Sequence, residues 1–340
     1  MLFRSQIAAM ETADLRALST TAVVALRTNQ LNALETDGVA ALTNTQIAKL
    51  TTAQLRGLDT EHFNALGTSQ VSALSSLQAA ALSATQAAAM ETADIAALST
   101  AAVRALANAT VVALGTDGLA ALRTAQIAAL ATGQIAALTT AEVVNLSTSQ
   151  VAALGSLQLR ALTTTQVAAL ETDALRALST AQFSSLNPTQ VAALGSDQVA
   201  ALTTGEIRAL TSLQLAAMGS TQLNALGSDQ IVALSTAQAA LLSVTQLQHL
   251  STDALNAFTT TQFAALTSTQ VATLTTAQLA GLETADLAAL STLAVRSLSS
   301  AQVAALGSDA ITALTTSQAA ILTATQAAAL SSSQVEGLET

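Results

Sequence analysis

A large apolar side chain recurs at every eighth residue from Leu2 to Leu338, and no insertion or deletion interrupts this spacing. The residues 3–338 therefore divide into 42 octads, with leucine at position eight. The exceptions to leucine at this position are Met10, Met90, Met218 and Phe258. Because loops tolerate changes of length more readily than packed elements do, the constant spacing indicates that every residue of the octad is structurally committed.

The other positions of the octad also have strong preferences. Position five carries Val, Ile, Leu or Phe except at Ala79, Ala87, Ala239, Ala319 and Ala327. Position one is usually Ser, Thr, Gly or Glu, position two is Thr or Ser in 35 of 42 octads, and position four is Gln in 27 of 42. We therefore predict one continuous array over residues 1–340 rather than separate globular domains.

A longer period overlies the octad. Related 16-residue segments begin at Gly67, Ser147, Gly227 and Gly307, each 80 residues or ten octads after the previous one. The segment METAD at Met10 likewise returns at Met90. This pattern indicates growth by duplication of ten-octad blocks, and one interpretation is that ten octads fill a whole number of superhelical turns.

Two backbone conformations fit the octad poorly. In one continuous α-helix, the apolar pair would advance by about 80° per octad, so no apolar stripe would persist. In a β-solenoid, positions five and eight would point to opposite faces of a strand, and the Ala-Ala-Leu ending has low strand propensity. Neither arrangement buries the leucines consistently.

The remaining possibility is one short helix per octad. Ser or Thr at position one with Gln at position four is a capping box, as at Thr51, Ser235 and Ser299. Asn187-Pro188 also fits a helix start, with Asn as N-cap and Pro at the first helical position. Where position one is Gly, as at Gly67, we expect a left-handed residue that ends one helix and starts the next.

Such short helices are stable only when they pack against neighbours. The predicted fold is therefore all-α, a solenoid of one-to-two-turn helices, one per octad, stacked into a superhelical rod. If three or four octads make one turn and turns stack about 8–10 Å apart, the rod is roughly 100 Å long.

Composition limits the possible functions. The chain lacks Cys, Trp and Tyr, and only 9% of its residues are charged, with a net charge of −10. Nucleic-acid binding through phosphates needs clustered Lys and Arg, so we expect no nucleic-acid partner. The absence of an apolar run long enough to span a bilayer predicts no membrane insertion. With so few titratable groups we expect no enzyme activity.

Individual polar residues have mainly structural interpretations. His62 replaces the Gln of position four and is expected to replace the capping partner, and we expect His249 to lie on the surface. The acidic pairs of segments such as Glu11 with Asp14 either complement helix dipoles or bind calcium between turns, and the dipole interpretation is favoured. If position six faces solvent, its arginines could pair with acids on adjacent turns, although such surface pairs add little stability. The hydroxyl groups of position two are expected to cap helix ends and to hydrogen-bond between turns. We predict no catalytic, cofactor-binding or metal site and no cofactor.

Octads such as RTAQIAAL at Arg123 and TTTQVAAL at Thr163 resemble the TTAQVAAL-type tandem repeats of very long bacterial secreted or surface proteins. The resemblance implies an adhesin stalk, matrix or filament component outside the cell or at its surface.

The first and last octads, FRSQIAAM and SSSQVEGL, follow the consensus and are not polar caps. We therefore expect the chain to associate with itself end to end or to belong to a longer array. The predicted function is a non-catalytic rod or fibre. The alternative is a binding module that uses its Thr and Ser ladder to contact ice, mineral, glycan or protein.

Overall fold

The computed structural model describes residues 6–7 and 9–338, with side chains up to residue 336. Over these residues the chain forms short helices of four to seven residues, one per octad, and no strand. The chain divides into two compact units, Met1–Ala177 and Leu178–Thr340. Each unit is an all-α solenoid, as the spacing predicts.

The helices of the first unit are, in chain order, Thr12–Ala17, Thr20–Val24, Thr28–Leu31, Thr36–Ala41, Asn44–Ile47, Thr52–Arg56, Thr60–Asn64, Thr68–Ser72, Ser76–Ala80, Ala84–Ala89, Thr92–Ala97, Thr100–Ala105, Asn108–Ala113, Gly115–Ala121, Thr124–Ala129, Thr132–Ala137, Thr140–Val144, Thr148–Ala152, Ser156–Ala161, Thr164–Ala169 and Thr172–Arg176.

The helices of the second unit are Thr180–Ser184, Pro188–Ala192, Ser196–Ala201, Thr204–Ala209, Ser212–Ala217, Ser220–Asn224, Ser228–Ala233, Thr236–Leu241, Val244–Gln248, Thr252–Asn256, Thr260–Ala265, Ser268–Ala272, Thr276–Ala280, Thr284–Ala289, Thr292–Arg296, Ser300–Ala305, Ser308–Thr312, Thr316–Ala319, Ala324–Ala327 and Ser332–Leu338.

Helices begin as the capping boxes predict. Thr51, Ser235 and Ser299 each accept a hydrogen bond from the backbone N–H of the Gln three residues later, and that Gln accepts one from the N-cap backbone. Asn187 does the same, with Pro188 at the first helical position. Each box satisfies two backbone donors that have no partner within the helix.

The predicted left-handed glycine is wrong for the described glycines of position one other than Gly115. Gly67, for example, is an extended N-cap with φ −79° and ψ 164°. Helices end without a left-handed residue because two successive extended residues turn the chain: Leu18 has ψ 135° and Ser19 has ψ 151°. The end of one helix and the start of the next are thus adjacent residues rather than a shared one. Gly115, with φ +68°, is the one positive-φ residue in the described part of the chain.

The core of each unit is built from positions five and eight. Val151 and Leu154 are typical, exposing 0% and 1% of their surface. Phe63 and Phe183, at position five, are among the largest fully buried side chains. Positions one to three and six mostly face solvent. The apolar pair of each octad therefore forms a narrow core, as the sequence predicts, and small alanines lie between this core and the surface.

Within each unit, a helix packs mainly on the helix three octads away, as Ser76–Ala80 packs on Thr100–Ala105. Side-chain hydrogen bonds between turns join residues 25 to 31 apart. One turn of the solenoid therefore takes between three and four octads. This spacing leaves each helix in contact with the turns before and after it.

The two kinds of glycine at position one predict opposite effects of the same substitution. Gly67→Ser is expected to stabilise the chain by about 0.5–1 kcal/mol, because the extended backbone accepts a side chain and the new hydroxyl caps Gln70. Gly115→Ser is expected to destabilise it by about 1–2 kcal/mol, because its left-handed backbone disfavours a Cβ atom. Denaturant unfolding of both variants measures the two effects, and a loss of stability in Gly67→Ser would contradict this account of the turn.

Candidate functional site

The most regular polar feature is a buried glutamine side chain at position four. Gln126 has no exposed surface, and its Oε1 atom accepts a hydrogen bond of 2.7 Å from the Arg123 backbone N–H. Its Nε2 atom donates to two backbone carbonyls four octads earlier, at 2.8 Å to Leu98 and at 3.1 Å to Ile95. One side chain therefore caps its own helix and joins it to the preceding turn. We call this repeated arrangement the glutamine ladder.

The same donation to the carbonyl 28 residues earlier recurs throughout both units. In the first unit, the donors include Gln46, Gln54, Gln70, Gln78, Gln86, Gln134, Gln150, Gln158 and Gln166. In the second unit, they include Gln214, Gln222, Gln230, Gln238, Gln246, Gln262, Gln270, Gln278, Gln302, Gln318, Gln326 and Gln334. The acceptors lie at helix C-terminal ends, where backbone carbonyls have no partner within the helix.

The sequence contained a signal for the ladder that we missed. A capping box accepts Glu as well as Gln at its fourth position. In this chain position four is Gln in 27 octads but Glu only at Glu142 and Glu206. A carboxylate can cap the helix but has no hydrogen to donate. The strong preference for the amide therefore indicates a second, donating role.

Other side chains at position four reach the same acceptor. The Nε2 atom of His62 lies 2.7 Å from the carbonyl oxygen of Leu34, and its Nδ1 atom lies 2.6 Å from Oδ1 of Asp59. The hydroxyl of Thr110 donates to the carbonyl of Leu82 at 3.2 Å. His62 thus contacts the N-cap residue, as predicted, and also takes the glutamine's place between turns.

Electrostatics at His62 favour the charged ring. Burial opposes the charge, but the hydrogen bonds to Asp59 and to the Leu34 carbonyl, together with the Asp59 charge, outweigh it and raise the pKa of His62 above 6.5. For Asp59, burial raises the pKa, but hydrogen bonds from His62 and its charge lower it below 3.8 overall. His249 is exposed, as expected.

The remaining charged residues do not converge. Glu11 is an exposed N-cap and Asp14 lies in the first turn of the same helix, where negative charge complements the dipole. Arg16 and Arg208 do not illustrate the predicted ion pairs, because each donates through Nε to a backbone carbonyl 25 residues later. Over residues 6–7 and 9–336, no three His, Cys, Asp or Glu side chains form a group suited to a metal ion.

Shallow grooves open to solvent lie between turns within each unit, with volumes of about 410 to 540 Å³. Three of them include a position-one glycine: Gly67, Gly155 or Gly227. These three grooves contain one charged side chain each, and in a fourth groove all the charged side chains are acidic. Among the described helices, none has the length and apolar character needed to cross a membrane.

Comparison with protein families agrees with this geometry. The model of the ALTTAQ repeat matches residues 7–44, 47–84, 87–124, 105–140, 127–164, 135–172, 167–204, 199–236, 242–276 and 279–316. The chain belongs to the ALTTAQ repeat family. The six letters of that name match positions seven, eight and one to four, so an ALTTAQ unit includes the end of one helix and the capping box of the next. A comparison with curated proteins found no match.

Two glutamines of one octad of this ALTTAQ array test the ladder. Gln246 is buried and hydrogen-bonds Ser243, Leu215 and Met218, whereas Gln248 is exposed. We expect Gln246→Ala to lower the free energy of unfolding by about 2–4 kcal/mol, because it leaves buried backbone groups without partners. Gln248→Ala is the matched control, expected within about 0.5 kcal/mol of the parent. Equal effects in denaturant unfolding would rule out a special role for position four.

The raised pKa of His62 predicts a dependence of stability on pH. A folded-state pKa above the unfolded value of 6.5 makes the contribution of His62 fully present below pH 6.5 and lost as pH rises through the folded pKa. We expect His62→Ala to be less stable than the parent at pH 6 and to lose this pH dependence. His249→Ala should retain it, and urea unfolding at several pH values distinguishes the two variants.

Proposed function

We propose that this ALTTAQ repeat chain is a non-catalytic structural protein that forms a stiff rod or fibre at or outside the bacterial cell surface. The observation that carries the proposal is the open-ended geometry of the glutamine ladder. An octad with Gln at position four, such as that of Gln246, both donates to a preceding turn and offers carbonyls to a following one. A contact of this head-to-tail kind can be repeated without limit.

The ladder explains how such an array gains length. Gln246 donates to Leu215 and Met218, and the carbonyls of Leu247 and Leu250, in the same octad, accept from Gln278. Further octads of this type, in the same chain or in another copy, would meet the same donors and acceptors. The partner in this proposal is therefore the array itself.

Stiffness follows from how the turns are joined. Octads of the consensus type contribute a buried Gln and two buried apolar side chains to the contact with neighbouring turns. The helices are separated by one to four residues rather than by long loops. Bending such a unit would open hydrogen bonds and apolar contacts on one side, so the array resists deformation.

The outward positions suit a surface in contact with water. Positions one to three are rich in Thr, Ser and acidic residues, and the net charge is −10. Like charge keeps separate molecules soluble. The absence of Cys leaves no thiol to mispair in an oxidising compartment. Together with the TTAQVAAL-type resemblance, these features support placement outside the cell.

Electron microscopy of length variants tests the rod. Insertion of a second copy of residues 67–146, which adds ten octads to the 42 present, is expected to lengthen the particle by about a quarter at constant width, because repeats add linearly. An 80-residue Gly/Ser insertion at the same site is the matched control and should leave the rod-like part unchanged in length. Compact particles that grow in all directions would refute the rod.

Location needs a separate experiment. We expect an antibody against the array to label intact cells of the source organism, and external protease to remove the label while a cytoplasmic marker survives. Labelling that requires permeabilised cells would contradict the surface placement but would leave the rod itself unaffected.

A further inference from the structure

The ladder needs a hydrogen-bond donor at position four. Gln, His62 and Thr110 each supply one to the carbonyl 28 residues earlier. Thr110 shows that even a short side chain reaches this carbonyl. Its hydroxyl is attached directly to Cβ and still lies 3.2 Å from the carbonyl oxygen of Leu82. A carboxyl group of Asp extends one bond further than this hydroxyl. An aspartic acid at position four is therefore long enough to reach the acceptor.

Two buried aspartates occupy this ladder position. Asp94 and Asp286 expose only 6% and 4% of their surface. The carbonyls 28 residues before them belong to Leu66 and Phe258. Their N-cap residues are glutamates rather than Ser or Thr, and neither N-cap side chain makes a capping hydrogen bond. An ionised Asp is an acceptor only, whereas a protonated Asp has one O–H to donate.

We propose that Asp94 and Asp286 are proton-dependent rungs of the ladder, which join adjacent turns only when their carboxyl groups are protonated. In the protonated form the O–H donates to the carbonyl of Leu66 or Phe258, as the amide of Gln does elsewhere. In the ionised form two acceptors face each other, so the turns are held less tightly at these octads. Acidification therefore strengthens the array at defined positions.

Most of the charged residues in the octad of Asp286 and in the helices around it are acidic. Glu283 is in the same octad, Asp253 lies on the helix four octads earlier, and Asp309 lies on the helix three octads later. The packed helix Thr260–Ala265 and the following Thr316–Ala319 carry no charged residue. The cationic residue nearest to Asp286 along the chain is Arg296, at the end of the next helix.

Asp94 has a more mixed environment. Glu91 is an acidic residue in the same octad as Asp94, and Asp117 lies on the helix three octads later. The octad four earlier carries Asp59, Glu61 and His62. The packed helix Thr68–Ser72 is uncharged. Two arginines are also close to this octad. The guanidinium of Arg123 donates to the carbonyl of Leu98, in the octad of Asp94, and Arg104 lies on the next helix along the chain. Asp286 is therefore the cleaner test.

The pKa shifts of the two aspartates agree with this geometry. Burial, with the charge of Glu283, raises the pKa of Asp286 from 3.8 to about 6. Burial, with the charge of Glu91, also raises the pKa of Asp94. A raised folded-state pKa for an acid means that the folded chain binds the proton more tightly than the unfolded chain does. Stability from Asp286 is thus greatest below pH 3.8 and declines as pH rises through about 6.

Hydrogen exchange and NMR on the full chain test the proposal. We expect the Asp286 carboxyl carbon to titrate near pH 6. Amide protection in helix Thr284–Ala289, corrected for intrinsic exchange, should fall by up to about thirtyfold between pH 4.5 and pH 7.5. Asp286→Gln restores the consensus donor, so this variant should fold and keep its protection across that range. Asp286→Asn, whose shorter amide also donates, should behave in the same way.

Asp14→Gln is the matched control. It makes the same change in the same Glu-Thr-Ala-Asp segment, but Asp14 is exposed. The variant should therefore retain the pH dependence at helix Thr284–Ala289. A carboxyl titration of Asp286 near 3.8 would overturn the proposal. So would an undiminished loss of protection in Asp286→Gln, or abolition of that loss by Asp14→Gln.

Discussion

The hydrogen bonds of the position-four glutamine are the interaction on which the rest of this solenoid depends. A helix of four to seven residues leaves most of its backbone donors and acceptors without partners inside the helix. One glutamine caps the start of its own helix and covers carbonyls at the end of another, as Gln126 does for Arg123, Ile95 and Leu98. Helices too short to persist alone are thereby held in a continuous array.

Variation at position four alters the connection without altering the fold. His62 and Thr110 retain the bond to the preceding turn, whereas Glu142 retains only the capping role, accepting from the Thr139 backbone at 2.7 Å. Acidic residues thus weaken single rungs while their neighbours preserve the packing. An array of this kind tolerates local change because stability is shared among many equivalent contacts between neighbouring units. This property suits a long structural element better than a site that depends on one exact geometry.

Local chemistry was predictable from sequence to a large extent. The capping boxes at Thr51 and Ser235 and the start at Asn187-Pro188 are confirmed, because an N-cap depends on residues within one turn of each other. The interpretation of Gly67 was wrong, since the sequence does not reveal that two extended residues suffice for the turn. At position six, Arg16 donates to the backbone carbonyl of Ala41, 25 residues later, a contact that the sequence does not reveal because it forms only between stacked turns.

The octad spacing and its capping residues by themselves determined that this ALTTAQ repeat chain is a series of short helices with one apolar face each. Only the tertiary structure decided that a turn takes between three and four octads, and hence which carbonyls each glutamine reaches. The physical reason is distance along the chain. Capping and apolar periodicity act within eight residues, whereas the ladder joins residues 28 and 31 apart, whose proximity exists only after the turns have stacked.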